Sequence, residues 1–294
     1  MKFKRNLWGR RLLAPFLFLC LTLQAALAFA AAPQITADAA IVVDRATGAV
    51  LYEKNADKRE YPASMTKMMT CLLAIESGRM DSIVQVSPEA ADVECTRMEP
   101  GDQVMMRDLT KQMMLISDNG AATAVGESLG QGDIDYFAER MNRRAQSLGM
   151  MSTHFVNADG MPDSDHYTTA RDMSKLAVAA FENDAFRQIV GTKEANVYYV
   201  HPTGRVEHCV NTDELLWSYQ GIVGGKTGWT SVARGCLTVA ADRDGRELVA
   251  VVMHSDDDES RFTEAASLLD YGFSKEAVGS AAIPASSMTG AATE

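Results

Sequence analysis

The chain has 294 residues, of which 47% are hydrophobic and 23% are charged, and its formal net charge is -11. This size and composition predict a globular protein with one large domain or two modest ones. The acidic balance argues against a nucleic-acid partner and against binding to anionic lipid.

Residues 1–30 predict a secretory signal peptide. A basic head precedes an apolar run over residues 12–27, and the small residues that follow offer a cleavage site. A transmembrane anchor is the alternative, but the run is short for a span and contains Pro15 and Gln24. We therefore expect cleavage and export to the periplasm, the cell wall or the medium.

The first elements of the mature chain predict a β-hairpin over residues 40–53, with its turn at Gly48. A strongly helical stretch follows over residues 64–76 and is expected to end at Gly78. This helix begins with a serine, which is an ordinary capping residue.

The middle of the chain, residues 88–186, has mainly the helical spacing of apolar residues. A loop rich in turn residues, 154–169, interrupts it, and Thr169 is predicted to cap the next helix.

Beyond residue 195 the period changes to that of strands, in "NVYYV", "RVEHCV" and "RGCLTVAAD". Asp244-Gly245 predicts a hairpin turn into another strand, and a last helix is expected over 259–271. Residues 277–294 are small and polar, which predicts a disordered tail.

This order predicts an α/β (α+β) fold over residues 31–276. An antiparallel sheet flanked by helices is assembled from both ends of the chain, with an all-helical lobe, about residues 80–190, inserted between them. An active-site cleft is expected between the two lobes.

The histidines and cysteines carry no predicted metal chemistry. None of the five histidines forms a metal-binding pair, so neither a metal nor a cofactor is expected. The four cysteines after the signal segment could pair in three ways, but no disulfide is predicted, and Cys71 in its apolar helix favours a packed thiol.

Three short motifs fall on this plan. They are Ser64-Met65-Thr66-Lys67 at the start of the first long helix, Ser117-Asp118-Asn119 between two helices, and Lys226-Thr227-Gly228 at the start of a late strand. Each motif alone is weak, and each residue has an ordinary structural interpretation as a cap, surface charge, turn residue or bulge. All three in this order form a strong signal for a serine nucleophile with a lysine base.

The spacing of the first motif places Lys67 beside the hydroxyl of Ser64, because residues i and i+3 share a helix face. A free lysine has a pKa near 10.4, so a base at neutral pH needs a shift of about 3 units, or roughly 4 kcal/mol. Burial in a cleft beside Lys226 as a second cation is expected to supply it. Apolar neighbours form the predicted dry wall: Met65, Met68, Met69 and Leu72.

The other motif residues suit supporting roles. Asn119 is expected to hold the lysine amine and a substrate carbonyl, and Ser117 to pass a proton to the leaving group. Lys226 and Thr227 suit a substrate carboxylate, and the backbone N–H groups of Ser64 and Trp229 suit an oxyanion hole.

The chain resembles the low-molecular-mass penicillin-binding proteins that act as serine-type D-alanyl-D-alanine carboxypeptidases. The resemblance covers about residues 36–273 and includes "YPASMTKMMT", "GGKTGWTSVARGCLTVAADRDG" and "RFTEAASLLDYGF". It implies the β-lactamase/transpeptidase-like fold, peptidoglycan pentapeptides ending in D-Ala-D-Ala as substrate, an acyl-enzyme on Ser64, and β-lactams as covalent inhibitors. It also implies that the substrate contacts Lys226, Thr227, Gly228, Trp229 and Arg261.

The chain departs from the family pattern in three places. Gly120 follows Asn119 where the family usually has aspartate. Asn211-Thr212-Asp213-Glu214 replaces an Asn-x-Asn segment and adds negative charge near the expected carboxylate site, for which Arg234 or Arg261 is expected to compensate. Many members also add a C-terminal β-domain and an amphipathic anchor; here about twenty residues follow the catalytic domain, and we expect the mature protein to be soluble.

Two other functions share these motifs. A class A-like β-lactamase also carries Ser-Asp-Asn but needs a glutamate to activate water for deacylation. The loop 154–169 contains no glutamate, and Glu207 lies in a predicted strand. A non-catalytic penicillin- or peptidoglycan-binding relative is the second alternative, against which the intact set of motif residues argues.

Overall fold

A computed structural model describes residues 31–275 of the chain. Its larger sheet is antiparallel and has five strands in the order β2-β1-β9-β8-β7. The strands are β1 (Ala39–Asp44), β2 (Val50–Lys54), β7 (Ile222–Thr230), β8 (Arg234–Arg243) and β9 (Arg246–Ser255). The sheet joins the two ends of the described chain, as predicted, because β1 pairs with β9.

Both faces of this sheet are buried, and successive side chains point to opposite faces. One face packs against the C-terminal helix through Val42, Val239, Val252 and Leu268. The other packs against the segment of residues 63–76, through Ile41 and Val251 on the strands and Met65 and Met69 on that segment. This second face supports the turn that carries Ser64.

Nine α-helices occur among the described residues. They are α1 (Lys67–Glu76), α2 (Pro88–Ala91), α3 (Met106–Leu115), α4 (Asn119–Leu129), α5 (Ile134–Ser147), α6 (Ala170–Ala180), α7 (Asp184–Val190), α8 (Leu215–Ser218) and α9 (Ser260–Ser274). Gly78, at φ +68°, follows the end of α1, and the Thr169 side chain caps α6, both as predicted.

The prediction of an all-helical inserted lobe needs one correction. A second antiparallel sheet, in the order β3-β4-β5-β6, begins inside that segment. Its strands are β3 (Ile83–Gln85), β4 (Gln103–Met105), β5 (Glu194–His201) and β6 (Val206–Val210). The strands β3 and β4 have three residues each, too few for a period of two to stand out from the neighbouring helical pattern.

The other predicted elements occur with shifted bounds. Ser64 lies in a 3₁₀ turn, Ala63–Thr66, ahead of the α-helix. Lys226-Thr227-Gly228 lies in the interior of β7 rather than at its start. The predicted signal peptide and C-terminal tail lie outside the described residues. Between residues 31 and 275, no helix has the length and apolar character needed to cross a membrane.

Candidate active site

Ser64 lies on a tight turn that is held from two sides. Ala63 has φ +47°, a conformation that costs energy for a residue with a Cβ and persists only where the surroundings enforce it. Gly160 packs against this turn so closely that a Cβ there would lie 1.9 Å from the Ala63 carbonyl oxygen. The turn therefore presents Ser64, which is partly exposed, in a fixed position.

The side chain of Lys67 is completely buried and uses all three of its donor positions. Its Nζ donates to Ser64 Oγ at 2.8 Å, to Asn119 Oδ1 at 2.7 Å and to the Asp159 carbonyl oxygen at 2.7 Å. The predicted contacts of Lys67 with Ser64 and Asn119 are thus present. The predicted dry wall is also present, because Met65, Met68, Met69 and Leu72 are buried.

Burial lowers the pKa of Lys67 to about 8, and the charges of Asp159 and Asp118 oppose this shift. About a tenth of the enzyme would then hold Lys67 neutral at pH 7. Burial, rather than a second cation, is therefore the cause that the structure supports. The repulsion between the two lysines lowers the pKa of Lys226, after the larger effect of its own burial.

Asn119 begins α4, and Asp118 positions it. The Asp118 carboxylate is buried and accepts four hydrogen bonds, from Ala121 N, Thr96 Oγ1, Arg97 N and Gln112 Nε2. The sequence analysis gave Asp118 no separate role, although an aspartate before a helix is a common N-cap.

The departure at Gly120 has a steric reason. A Cβ at Gly120 would lie 2.1 Å from Thr96 Oγ1 and 2.5 Å from the Ala90 carbonyl oxygen. Since Thr96 occupies this space and bonds Asp118, the position accommodates no side chain.

Ser117 has φ +61° and lines the same cleft as Ser64. Its hydroxyl makes no hydrogen bond to another described residue, so the proton-transfer role stays a prediction.

The loop 154–169 holds the Ser64 turn and the start of α1 in place through hydrogen bonds. The sequence analysis missed this role. The Ala158 carbonyl accepts from Thr70 Oγ1 at 2.7 Å, one residue before the Asp159 carbonyl that binds Lys67. His166 is buried, which lowers its pKa to about 4, so the ring is neutral. Its Nδ1 accepts from Val156 N, so its Nε2 carries the proton and donates to Thr66 Oγ1 at 2.8 Å.

Strand β7 forms the opposite wall of the cleft and lies against the Ser64 turn. A Cβ on Gly228 would lie 3.2 Å from the Ser64 backbone nitrogen and 3.1 Å from the Pro62 carbonyl oxygen. Glycine thus allows β7 to approach the nucleophile closely. Trp229, the next residue, is 55% exposed at the cleft.

Lys226 and Arg261 form a buried cationic end beside β7. Lys226 is 1% exposed and donates to the Thr227 carbonyl at 3.0 Å and to Thr227 Oγ1 at 3.4 Å. Arg261 is 6% exposed, donates to the Gly228 carbonyl at 3.0 Å and pairs with Asp258 at 2.5 Å. Of the two predicted compensating arginines, Arg261 lines the cleft, whereas Arg234 instead donates to the Asp256 carbonyl.

These residues enclose a cleft of about 420 Å³. Its lining comprises Ser64, Glu94, Cys95, Ile116, Ser117, Asn119, Gly160, Met161, Pro162, Thr212, Thr227, Gly228, Trp229, Thr230, Ser231, Asp258 and Arg261. Seven of the nine predicted site residues line the cleft, and the other two, Lys67 and Lys226, are hydrogen-bonded to residues that do.

One of the four described cysteines, Cys95, lines the cleft. The described cysteines, Cys71, Cys95, Cys209 and Cys236, are free thiols. Within residues 31–275, no cluster of three or more histidine, cysteine, aspartate or glutamate side chains is arranged to hold a metal ion.

Residues 27–257 match the model of a peptidase family, S11, described as D-alanyl-D-alanine carboxypeptidase. The chain belongs to this family. The membership covers the turn of Ser64, both other motifs and strand β7, and it confirms the family that the sequence predicted.

Known members of the D-alanyl-D-alanine carboxypeptidase family are clearly similar to this chain. One is DacF of Bacillus subtilis, 34% identical over 246 residues, which are 81% of this chain and 62% of DacF. The chain thus spans less than two thirds of the length of DacF. Another is the D-alanyl-D-alanine carboxypeptidase of Streptomyces sp. strain K15, 33% identical over 257 residues, 82% of this chain and 88% of that protein.

Solved structures of similar proteins confirm the predicted fold. The crystal structure of the Streptomyces K15 DD-transpeptidase superimposes with a TM-score of 0.79 at 32% identity, over 83% of this chain and 99% of that one. The carboxypeptidase DacD of Francisella tularensis superimposes with a TM-score of 0.76 at 30% identity, over 83% of this chain and 72% of that one.

Proposed function

We propose that the protein is a serine-type D-alanyl-D-alanine carboxypeptidase that removes the terminal D-alanine from peptidoglycan stem peptides. One observation carries this proposal: a buried Lys67 amine bonds both Ser64 Oγ and Asn119 Oδ1 at the edge of a cleft walled by β7. A lysine with a lowered pKa beside a serine hydroxyl is the arrangement that activates the serine.

The reaction begins when neutral Lys67 accepts the proton of Ser64 Oγ, and the oxygen attacks the carbonyl carbon between the two D-alanines. The negative charge on the carbonyl oxygen is stabilised by the backbone N–H groups of Ser64 and Trp229. Collapse of this intermediate breaks the peptide bond, and the amine of the leaving D-alanine receives a proton, through Ser117 or directly from Lys67. Water then attacks the acyl-enzyme, with Lys67 acting again as base.

The substrate is oriented at both ends of the scissile bond. Asn119 Nδ2 lies close to the cleft, where it already donates to the Glu94 carbonyl at 2.8 Å, and it faces the acyl side of the substrate. Thr227 and Arg261, with Lys226 beneath them, form a positively charged end that suits the carboxylate of the leaving D-alanine.

The substrate of this reaction is found in the cell wall, so we infer that the protein acts outside the cytoplasm. By the same chemistry β-lactams acylate Ser64, since they present a strained amide and a carboxylate to the same groups.

The β-lactamase alternative lacks a suitable water-activating group. Among the described residues that line the cleft, the one glutamate is Glu94, on the loop between α2 and β4 and outside the loop 154–169 that holds Lys67. Glu207, on β6, pairs with Arg97 and does not line the cleft. A non-catalytic role is disfavoured because the Ser64–Lys67–Asn119 hydrogen bonds are complete.

The deciding experiment measures D-alanine release from diacetyl-L-Lys-D-Ala-D-Ala, with intact-mass spectrometry after mixing with benzylpenicillin in parallel. We expect release of D-alanine and a penicillin adduct that persists for minutes. Rapid turnover of penicillin without D-alanine release would favour the β-lactamase, and the absence of both reactions would favour a binding protein.

A further inference from the structure

Arg261, at the cationic end of the cleft, is already paired with a carboxylate of its own chain. Asp258 lies three residues earlier, in the loop before α9, and its Oδ1 is 2.5 Å from Arg261 Nη1. Both side chains line the cleft. The guanidinium that suits a substrate carboxylate is therefore occupied by an anion of the enzyme before any substrate arrives.

The position of Arg261 is held by contacts that do not involve Asp258. The Arg261 side chain is buried, its Nη1 donates to the Gly228 carbonyl on β7 at 3.0 Å, and its guanidinium carbon lies 4.8 Å from the centroid of the Phe262 ring. Asp258, in contrast, is 62% exposed and accepts no hydrogen bond from the residues that the structure describes. An exposed ion-pair partner of this kind is held weakly, so Asp258 can turn to solvent while Arg261 stays in place.

The geometry of the guanidinium makes Asp258 an obstacle to the substrate. A carboxylate binds arginine best through two parallel N–H···O hydrogen bonds from two different nitrogens. Arg261 Nε is buried and meets no acceptor within residues 31–275, so a carboxylate that enters from the cleft has to use Nη1 and Nη2. Because Asp258 Oδ1 lies against Nη1, this two-point contact becomes possible only after Asp258 has moved.

The same pair also matters for the charge of Arg261. A buried cation without a counter-charge is costly. Burial lowers the pKa of Arg261, and the charge of Asp258 is the largest of those that oppose this effect. Asp258 thus stabilises the cation in the free enzyme, and a substrate carboxylate would take over that role in the complex. Two anions that serve one cation in this way compete with each other.

Resting on the proposed function, we propose that Asp258 is a specificity-determining residue: its carboxylate competes with the terminal carboxylate of the substrate for Arg261, and so weakens the preference of the cleft for a free C-terminus. Binding of a carboxylate peptide exchanges one ion pair for another, with Asp258 released to solvent. A peptide that ends in an uncharged carboxamide leaves the Asp258–Arg261 pair intact, so Asp258 does not hinder it.

The test compares Asp258→Asn with Asp256→Asn, which removes the same charge two residues earlier, from an exposed side chain outside the lining of the cleft. The probes are diacetyl-L-Lys-D-Ala-D-Ala and its C-terminal carboxamide, each measured as a competitor of benzylpenicillin acylation. Asp258→Ser removes the carboxylate with a second side chain, and thermal unfolding checks that each variant folds.

In Asp258→Asn we expect the inhibition constant of the carboxylate peptide to fall about threefold, the scale of a partly exposed ion pair. The constant of the carboxamide should change little, and Asp258→Ser should act in the same direction. Asp256→Asn should retain the wild-type constants. An unchanged or higher constant for the carboxylate peptide in both Asp258 variants would overturn the proposal, because Asp258 would then only support Arg261 or have no effect.

Arg261→Gln distinguishes competition from direct repulsion. If Asp258 acts by occupying Arg261, adding Asp258→Asn to the Arg261→Gln enzyme should leave the inhibition constant of the carboxylate peptide unchanged. A similar threefold fall in that background would refute the competition, because Asp258 would then repel the substrate directly. A wild type that releases no D-alanine would refute the proposed function and this role with it. An active wild type whose Asp258 variants bind the carboxylate peptide no more tightly would refute this role alone.

Discussion

The two buried lysines of the cleft differ in how their amines are satisfied. Lys67 donates to three acceptors on three different segments, whereas within residues 31–275 Lys226 donates only to its own neighbour, Thr227. The first amine is fixed before substrate arrives, and the second retains capacity for a new anionic partner. A base needs a fixed position and a lowered pKa, while a substrate anchor needs unused charge, so the same residue type serves two purposes in two environments.

The largest effect is expected from replacing Ser64, the hydroxyl partner of Lys67. Ser64→Ala should lower D-alanine release and penicillin acylation by at least about a thousandfold, because the attacking oxygen is removed. Penicillin labelling by intact mass is the measurement, and Ser267→Ala on the exposed face of α9 is the control. Covalent labelling of the Ser64→Ala enzyme would contradict the assignment.

The next change tests whether Lys67 is a base or only a charge. Lys67→Arg keeps a positive charge that cannot be lost at neutral pH, so acylation should fall by at least about a hundredfold. Lys175→Arg, outside the cleft, controls for the replacement itself, and thermal unfolding checks that both variants fold. Near-normal acylation by Lys67→Arg would show that Lys67 is not the general base.

A smaller effect is expected from a change at Gly228, where β7 lies against the Ser64 turn. Gly228→Ala would place a Cβ 3.2 Å from the Ser64 nitrogen and press β7 away from the nucleophile turn. Loss of a whole oxyanion donor costs on the order of a hundredfold or more, and a displaced one should cost about tenfold in the acylation rate. An unchanged rate, with an unchanged melting temperature, would argue that Trp229 N–H does not stabilise the oxyanion.

The smallest effect concerns the pKa of Lys67 and is measured through the pH dependence of acylation. Acylation should rise with pH through about 8, because the base must be neutral. Asp159 raises the pKa of Lys67, so Asp159→Asn should move this rise to lower pH, by less than about one unit. Stopped-flow acylation across pH measures it, with Asp165→Asn in the same loop, exposed to solvent, as the control. A shift to higher pH would show that Asp159 acts through the fold of the loop instead.

The sequence by itself determined the contacts between catalytic residues that lie close together in the chain. Ser64 and Lys67 are three residues apart and so meet on one turn, and Asp118 and Asn119 lie where one helix ends and the next begins. The strands β1, β8 and β9 were predictable because their apolar runs are long. The short strands β3 and β4 were not, since three residues carry too little periodicity.

The tertiary structure alone decided the contacts that tune these groups. The Asp159 carbonyl reaches Lys67 across 92 residues of sequence, and Arg261 reaches Gly228 across 33. The burial of Asp213 also depends on how the segment after β6 packs against β7, to which Thr212 is hydrogen-bonded. A pKa depends on the local surroundings of a group, and those surroundings come from segments that the sequence places far apart. For this reason the motifs could name the two lysines in advance, but only the packed structure could distinguish their environments.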